Sequence, residues 1–582
     1  MYKKLLTTFV LLFAIHMAYA QNEFITTWKP GNLQTQSYQG ITVNSTNTQI
    51  WLPAQGTDYT IAWEEIGYPS HTGVLTNVTS AYHTLVDFGA SLNPDPANAT
   101  YRVKISNGNG LFQRIRFTDW DLFSNGNGII GDIHKILTLE QWGQINWTTM
   151  RQAFQGCMLM DVTATDIPRL SAVTDLSFMF TNCSNLIGNP TINNWNVSSV
   201  TNLQSTFQGC FLFNQPIGDW NTSNVINMGA LFLMAKIFNQ PIGNWNTSKV
   251  ETMTATFNNA REFNQPIGNW DLSKNLDCEF MFSNAVKFNQ PIGNWNTSKV
   301  IEMNRMFSNA TAFNQDIGSW NTGNVTNMEG MFANASSFNK AIGNWNVGEV
   351  VYMQYMFNGA SAFDQDISGW NTGKVTAMQS MFSNAVNFNQ NIGNWNVSLV
   401  TGMGNMFTGA LKFNQNLGSW NLGSLQMSGG MLQNTALSCQ NYDDTLQGWS
   451  INPSTPGNIN ISPVSPLTYS HPAAVTARNY LVSAKNWTIS GDTYDAECRS
   501  TLGISEILAE STAGIYPNPA TDFIYVRNLK VKSFMIIDQS GRIVIKNNTQ
   551  NNSINIQNLV SGNYILQINT ATGAHHFKFI KK

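Results

Sequence analysis

At 582 residues the chain is roughly three to four times the usual length of one domain, which excludes a single compact core and calls for several folding units or one long repeat array. Hydrophobic residues make up 42% and aromatics 12%, against 11% charged, so the chain is not a charged disordered tail and can fold nearly throughout. Thirty-one Lys and Arg against 34 Asp and Glu leave a net charge of -3, which excludes the basic footprint of a nucleic-acid partner.

Residues 1–20 read as a signal peptide. Lys3 and Lys4 precede the apolar run Leu5 to Ile15, and Ala18-Tyr19-Ala20 supplies a small-x-small cleavage site before Gln21. That run is shorter than the ~20 apolar residues that cross a bilayer, and no later segment is long and apolar enough, so no transmembrane segment is expected in the mature chain. Residues 22–145 follow. Alternation in Tyr101 to Ile105 and in Arg114 to Phe117, with Asn/Gly-rich turns between, predicts strands and a small N-terminal β-sandwich.

From 149 to 431 the sequence repeats every 25 residues, with tryptophan at 195, 220, 245, 270, 295, 320, 345, 370, 395 and 420. Isoleucine from Ile192 to Ile392, valine from Val200 to Val400 (Asn275 excepted) and phenylalanine from Phe207 to Phe407 and Phe213 to Phe413 keep the same step. A unit this small cannot bury its own apolar face, so each is expected to stack on the next and place like residues in columns. Val250, Met253, Phe257 and Ala260 lie three or four apart, which predicts a short helix; Phe263 to Trp270, with Pro266 and Gly268, predicts a short extended stretch and a turn. The expected fold class is therefore α/β, a solenoid of about 12 strand–turn–helix–turn coils. The tryptophans read as a buried ladder rather than a sugar-stacking track, because neighbouring apolar columns share their step. Asn214 to Asn414 read as amides that satisfy turn backbone across coils, and Asp364, acceptor-only, is expected to weaken that bond in its coil. Cys157, Cys183 and Cys210 occupy a small position that later coils fill with alanine, and one bridge among them is an open alternative. Binding specificity is expected where coils differ: Glu251-Thr252, Ile301-Glu302, Thr326-Asn327, Val351-Tyr352 and Thr376-Ala377.

The recurrence of F-N-Q-x-I-G-x-W-N followed by V-x-x-M-x-x-M-F resembles the leucine-rich-repeat surface proteins of the BspA type, whose 25-residue repeat is also seen in mycoplasma surface lipoproteins. The resemblance implies a right-handed leucine-rich-repeat-like solenoid that is secreted or displayed on a cell, with protein binding and adhesion as its functions. Phe24-Ile25-Thr26-Thr27-Trp28 also matches related surface proteins, but Trp63-Glu64-Glu65-Ile66 stands where they carry a W-G-D-G turn.

After Met431 the period breaks, and residues 432–505 read as a C-terminal cap with a helix from Ala473 to Ser483. Cys439 and Cys498 bracket it; they are the disulfide candidate in an exported chain, the alternative being two unpaired thiols. Residues 513–582 predict a small antiparallel sandwich with strands at Phe523 to Val526, Ser533 to Ile537, Ile543 to Ile545 and Tyr564 to Ile568. Tyr516-Pro517-Asn518-Pro519-Ala520, Asp538-Gln539-Ser540-Gly541-Arg542 and Leu559-Val560-Ser561-Gly562-Asn563-Tyr564 resemble the C-terminal sorting domain of the type IX secretion system of Bacteroidetes. That resemblance implies passage across the outer membrane with the type IX machinery as a partner, then surface attachment or release.

No G-x-S-x-G, P-loop or H-E-x-x-H occurs, the histidines do not cluster at ligand spacing, His575-His576 stands alone, and Asp364 and Asp366 are an isolated carboxylate pair. No catalytic, cofactor-binding or metal residue is expected. The expected function is a non-enzymatic binding or adhesion scaffold at the cell surface or in the medium, for an extracellular protein or glycan partner. The alternatives are a passive surface-layer or spacer component and, further off, a carbohydrate-active enzyme.

Overall fold

The computed structural model describes residues 22–33, 45–119, 128–498, 500, 514–527, 529–547, 552–570 and 573–582. The signal peptide and its cleavage site lie outside the described residues. Two units are compact, one made of residues 1–469 with 477–495 and the other of 470–476 with 496–582, and each has its own apolar core.

The N-terminal part of the first unit is a sheet. Its strands are β1 (Phe24–Trp28), β3 (Ala54–Glu65), β4 (Tyr68–Ser80), β6 (Tyr101–Ser106), β7 (Leu111–Ile115), β8 (Ile136–Gln141) and β9 (Asp161–Val162), while β2 (Gln49–Leu52) and β5 (Thr84–Asp87) pair separately. The order is β4-β3-β6-β1-β8-β9, with β7 also on β3. Alternation drives it: Tyr101, Val103 and Ile105 of β6 are buried and Arg102, Lys104 and Ser106 are half-exposed, so a one-residue slip would expose the core face. The strand expected at Arg114 to Phe117 runs earlier, and Arg116 leaves it to bond buried Asp119 at 2.6 Å.

Most pairs in this sheet are antiparallel, but β8 and β9 are parallel, and that edge starts the repeats. Parallel bridges then follow once per winding, from Asp175–Asn202 through Asn227, Thr252, Asp277, Glu302, Asn327, Tyr352, Ala377 and Gly402 to Met427.

The expectation of an α/β leucine-rich-repeat solenoid is overturned here. Among the described residues only α1 (Cys439–Ile451) and α2 (Pro472–Ser483) are α-helices, and both follow the repeats. The repeat windings are turns joined by one bridge apiece, and outside them the regular structure of the described residues is mostly sheet. The reason is backbone hand. Ala255 (φ 54°) and Asn259 (φ 59°) flank Phe257 in the left-handed region, as Phe280 and Asn284 flank Phe282, and no right-handed helix can pass through two such residues four apart. The predicted one-sided face survives without the helix: Val250, Met253, Phe257 and Ala260 are all fully buried.

What replaces the helix is a set of peptide columns. The N–H groups of Met253, Ala255, Phe257 and Asn259 donate to the carbonyls of Asp277, Glu279, Met281 and Ser283 one winding on, at 3.1, 2.7, 2.9 and 2.8 Å. Between them Thr256 and Ala260 close tight turns onto the carbonyls of Met253 and Phe257, so alternate peptides serve the winding and the stack. Inside, Trp245 and Trp270 lie parallel at 6.4 Å, and each indole Nε1–H donates to an isoleucine carbonyl of the previous winding, as Trp320 does to Ile292 at 3.1 Å.

The cap region does not end the stack. Ser438 Oγ caps α1 by accepting from the Asn441 N–H, and Tyr442, Leu446 and Trp449 face the core. Trp449 takes the ladder position, donating to the Leu417 carbonyl at 2.9 Å although a helix has stretched its spacing from Trp420, and Trp487 does the same to Pro456. The last windings are closed by Gly430 N–H on Ser462 and Asn434 N–H on Ser465, then by the parallel pair β10 (Thr468–Tyr469) and β11 (Thr493–Tyr494).

The second unit holds two antiparallel sheets around one core. β12 (Gly514–Tyr516), β13 (Phe523–Arg527) and β16 (Ser553–Asn555) form the first, and β14 (Ser533–Ile537), β15 (Ile543–Asn547), β17 (Gly562–Asn569) and β18 (Ala574–Lys581) the second. Ile524, Ile536, Ile554, Leu566 and Ile568 are fully buried between them.

Candidate binding face

Each winding turns its ladder residues inward, so its chemistry is decided by the residues around the bridge position. The sequence-selected pairs lie there. Glu251, Ile301 and Tyr352 are exposed, and Thr252, Glu302, Thr326, Asn327, Val351, Thr376 and Ala377 are half-buried. Thr252, Glu302, Asn327, Tyr352 and Ala377 are themselves the bridge residues, so their backbones hold the stack while their side chains vary.

Two neighbouring columns, two and three residues further along each winding, were not singled out from the sequence. The first runs Glu279, Asn304, Glu329, Gln354 and Gln379; the second runs Phe280, Arg305, Gly330, Tyr355 and Ser380. Thr254 Oγ1 donates to Asp277 Oδ2 at 2.6 Å, Asn304 Nδ2 to Glu279 Oε1 at 2.7 Å, and Gln354 Nε2 to Glu329 Oε2 at 2.6 Å. Arg305 reaches Glu329 Oε1 at 2.7 Å with its guanidinium 5.6 Å from the Phe280 ring centroid. Burial pushes the Glu302 carboxyl above its ordinary range, Asp277 and Glu279 push the same way, and hydrogen bonds from Asn327 and Thr326 offset this only in part. The signal was present in the repeat itself: Phe280, Arg305 and Tyr355 occupy a left-handed position that Gly330 and Gly430 fill elsewhere.

The remaining candidates resolve separately. Cys439 and Cys498 are disulfide-bonded. Cys157, Cys183, Cys210 and Cys278 are free and buried, with burial raising their thiols; Cys183 and Cys210 Sγ–H donate to the carbonyls of Phe154 and Phe180. Asp364 and Asp366 do not act together: Asp366 accepts from the Ser368 N–H on the surface, while Asp364 sits in the asparagine column. That column departs from expectation. Asn264 Oδ1 accepts from the Asn289 N–H and from Gln290 Nε2, and Asp364 Oδ1 accepts likewise from Asn389 at 2.9 Å and Gln390 at 2.8 Å. These cross-winding bonds use only the acceptor oxygen, so a carboxylate replaces the amide without losing one. His576 pairs with Gln567 across β17 and β18. No group of three or more His, Cys, Asp or Glu among the described residues could hold a metal, and none of the described helices is long and apolar enough to cross a membrane.

Residues 148–268, 253–369 and 337–449 match the family described as Mycoplasma protein of unknown function, DUF285, and the overlapping matches cover more than half of the chain. The chain belongs to the DUF285 family. Its DUF285 matches begin at the first windings and run through α1, so the family pattern includes the winding that α1 stretches. Residues 514–582, the second unit's sheets, match the secretion system C-terminal sorting domain. This DUF285 protein is therefore exported by type IX secretion to the cell surface or the medium, and the secretion machinery is one of its partners. No curated protein matches the chain.

Proposed function

We propose that this DUF285 protein is a non-catalytic binding scaffold of the BspA kind, acting in adhesion to an extracellular protein or glycan. The observation that carries the reading is the division of labour within each winding. Recurring Trp, Phe, Ile and Met columns supply the packing, while Glu302, Arg305, Tyr352 and Tyr355 vary beside them and are not consumed by the core. A repeat that only filled space would have no use for exposed Tyr352 and Tyr355, at 46% and 43% exposure, on the same side as the carboxylates. The exported address agrees with an extracellular partner.

The test is a screen of the purified full chain against immobilised matrix proteins and glycans. Saturable capture by one class, competed by soluble ligand, supports the reading; a chain that captures nothing, while shortened or lengthened arrays still serve in vivo, returns the passive-spacer alternative.

A further inference from the structure

Resting on the binding reading and naming a partner class for it, we propose that an apolar patch on the early windings, Leu212, Met234 and Ile237 with Lys236 and Arg261 at its rim, docks an acidic amphipathic segment of an extracellular protein. The first observation is backbone hand. The residue just before the small cysteine or alanine column is left-handed in every repeat winding, and from Gly156 and Asn182 through Asn259 to Gly409 and Asn434 it is glycine or asparagine, the residues that tolerate that hand. Met234, at φ 63°, is the exception. A methionine there strains the backbone without serving the core, because its side chain is exposed. Leu212 and Ile237 are exposed as well, and the residues that follow them, Phe213 and Phe238, stack at 6.0 Å, so these three large aliphatic side chains meet solvent on two successive windings. Later windings place Ala312, Ser337 and Ala362 where Leu212 and Ile237 stand, so the stack itself does not call for large apolar residues at that position.

The second observation is charge. Lys236 holds its ammonium 4.3 Å from the centroid of the Phe211 ring, and neither it nor Arg261, both exposed, has a carboxylate partner among the described residues; Glu262, next to Arg261 in the chain, is paired with Lys287. Asp219 is the only acidic residue from 203 to 250, and Asn193 Nδ2 already donates to it. Aliphatic surface rimmed by unpaired cations is the complement of a segment that carries both apolar side chains and carboxylates. A sugar is a poorer match, since it stacks on an open aromatic ring, whereas the exposed side chains here are aliphatic and the Phe211 ring faces Lys236. A lipid surface is a poorer match too, because attraction to anionic headgroups takes a cluster of about four or more cations and this rim offers Lys236 and Arg261 alone.

The experiment uses the full chain and a short amphipathic peptide of leucine and glutamate, with a glutamine-for-glutamate counterpart, a serine-for-leucine counterpart and phosphatidylglycerol vesicles in parallel. The leucine–glutamate peptide is expected to bind, and each counterpart to bind at least about tenfold more weakly. Leu212→Thr/Ile237→Thr is expected to lose about tenfold in affinity, and Lys236→Gln/Arg261→Gln to lose the preference for glutamate over glutamine. Met234→Asn, which restores the usual residue at the left-handed position, is expected to weaken binding while leaving the melting temperature unchanged or higher, a combination that damage to the fold would not give. Asp366→Asn, on a separate turn, should bind as the parent does. Failure of the leucine–glutamate peptide to bind, equal binding of the glutamate and glutamine peptides, capture by vesicles alone, or undiminished binding by Leu212→Thr/Ile237→Thr or Met234→Asn overturns the inference. If the full chain captures a glycan or matrix protein with those variants unimpaired, this patch is wrong and the binding reading stands; if nothing is captured by any form, both fall.

Discussion

The regular windings and the N-terminal sheet stand in one continuous core yet are held by different means. In the windings, each residue type does the same task many times: a tryptophan indole on an isoleucine carbonyl, an asparagine oxygen on the next asparagine N–H, a phenylalanine on a phenylalanine at 5.5–6.1 Å. In the sheet, polar anchors occur once. Glu65 accepts from Ser91, His71 and the N–H groups of Leu92 and Asn93, and buried Lys135 donates to Ser45 Oγ and to the carbonyls of Ser45, Thr46 and Gln49. Repetition distributes stability among nearest neighbours; single anchors concentrate it.

The strongest way to break this comparison is by deletion. Removing residues 296–320, one whole 25-residue period, should leave a cooperatively unfolding protein, because every column closes over the gap, whereas removing 296–307 should abolish folding by putting all later columns out of phase. Circular dichroism melts read both; equal tolerance would sink the columnar account. Trp320→Ala comes next. It removes a buried ring and one of the two hydrogen bonds to the Ile292 carbonyl, which keeps the Trp295 N–H, for an expected loss of about 3–5 kcal/mol in urea unfolding, while Trp320→Phe should cost less.

Glu65 tests the single-anchor side. Burial alone would raise its carboxyl, but the hydrogen bonds from Ser91, His71, Leu92 and Asn93 win and hold it down to about 2, against an ordinary 4.5. A folded-state pKa below the unfolded one contributes stability that is fully present above pH 4.5 and is lost as pH falls through about 2. Glu65→Gln should therefore cost roughly 2–3 kcal/mol at neutral pH and flatten the stability profile across that acid window. A parental acid profile in the variant would remove Glu65 from the account. The smallest effect sharpens the repeat side: Asn264→Asp should shift stability by less than about 0.5 kcal/mol, because its oxygen still accepts from Asn289 and Gln290, whereas Asn264→Ala should cost about 1–2 kcal/mol. An Asp variant as damaged as the Ala variant would mean that the amide nitrogen matters after all.

Much of this was legible beforehand because repetition is a strong signal. Tryptophans one period apart must be equivalent, and the helix expected from Ala473 and the strands expected at Ser533 and Tyr564 appear as α2, β14 and β17. The winding's conformation was not legible. Val250, Met253 and Phe257 have helical spacing, but a tight turn with left-handed residues brings the same side chains to one side, and spacing alone does not separate the two. Nor was the continuation past Met431, since Trp449 keeps its hydrogen bond while losing its period. The neighbourhood of Glu279, Asn304 and Phe280 was not legible either, because residues about 25 apart touch only once the windings stack.

Period, inward residues and sorting tail were determined by the sequence itself, since each is a local pattern of residue type that stacking neighbours or an alternating strand must obey. The hand of the backbone at Ala255 and Asn259, the parallel edge of β9 from which the windings grow, and the gathering of carboxylates from successive windings onto one face were decided only in three dimensions. They depend on which carbonyl of the next winding each N–H can reach, and residues 25 apart meet only once the chain has turned back on itself.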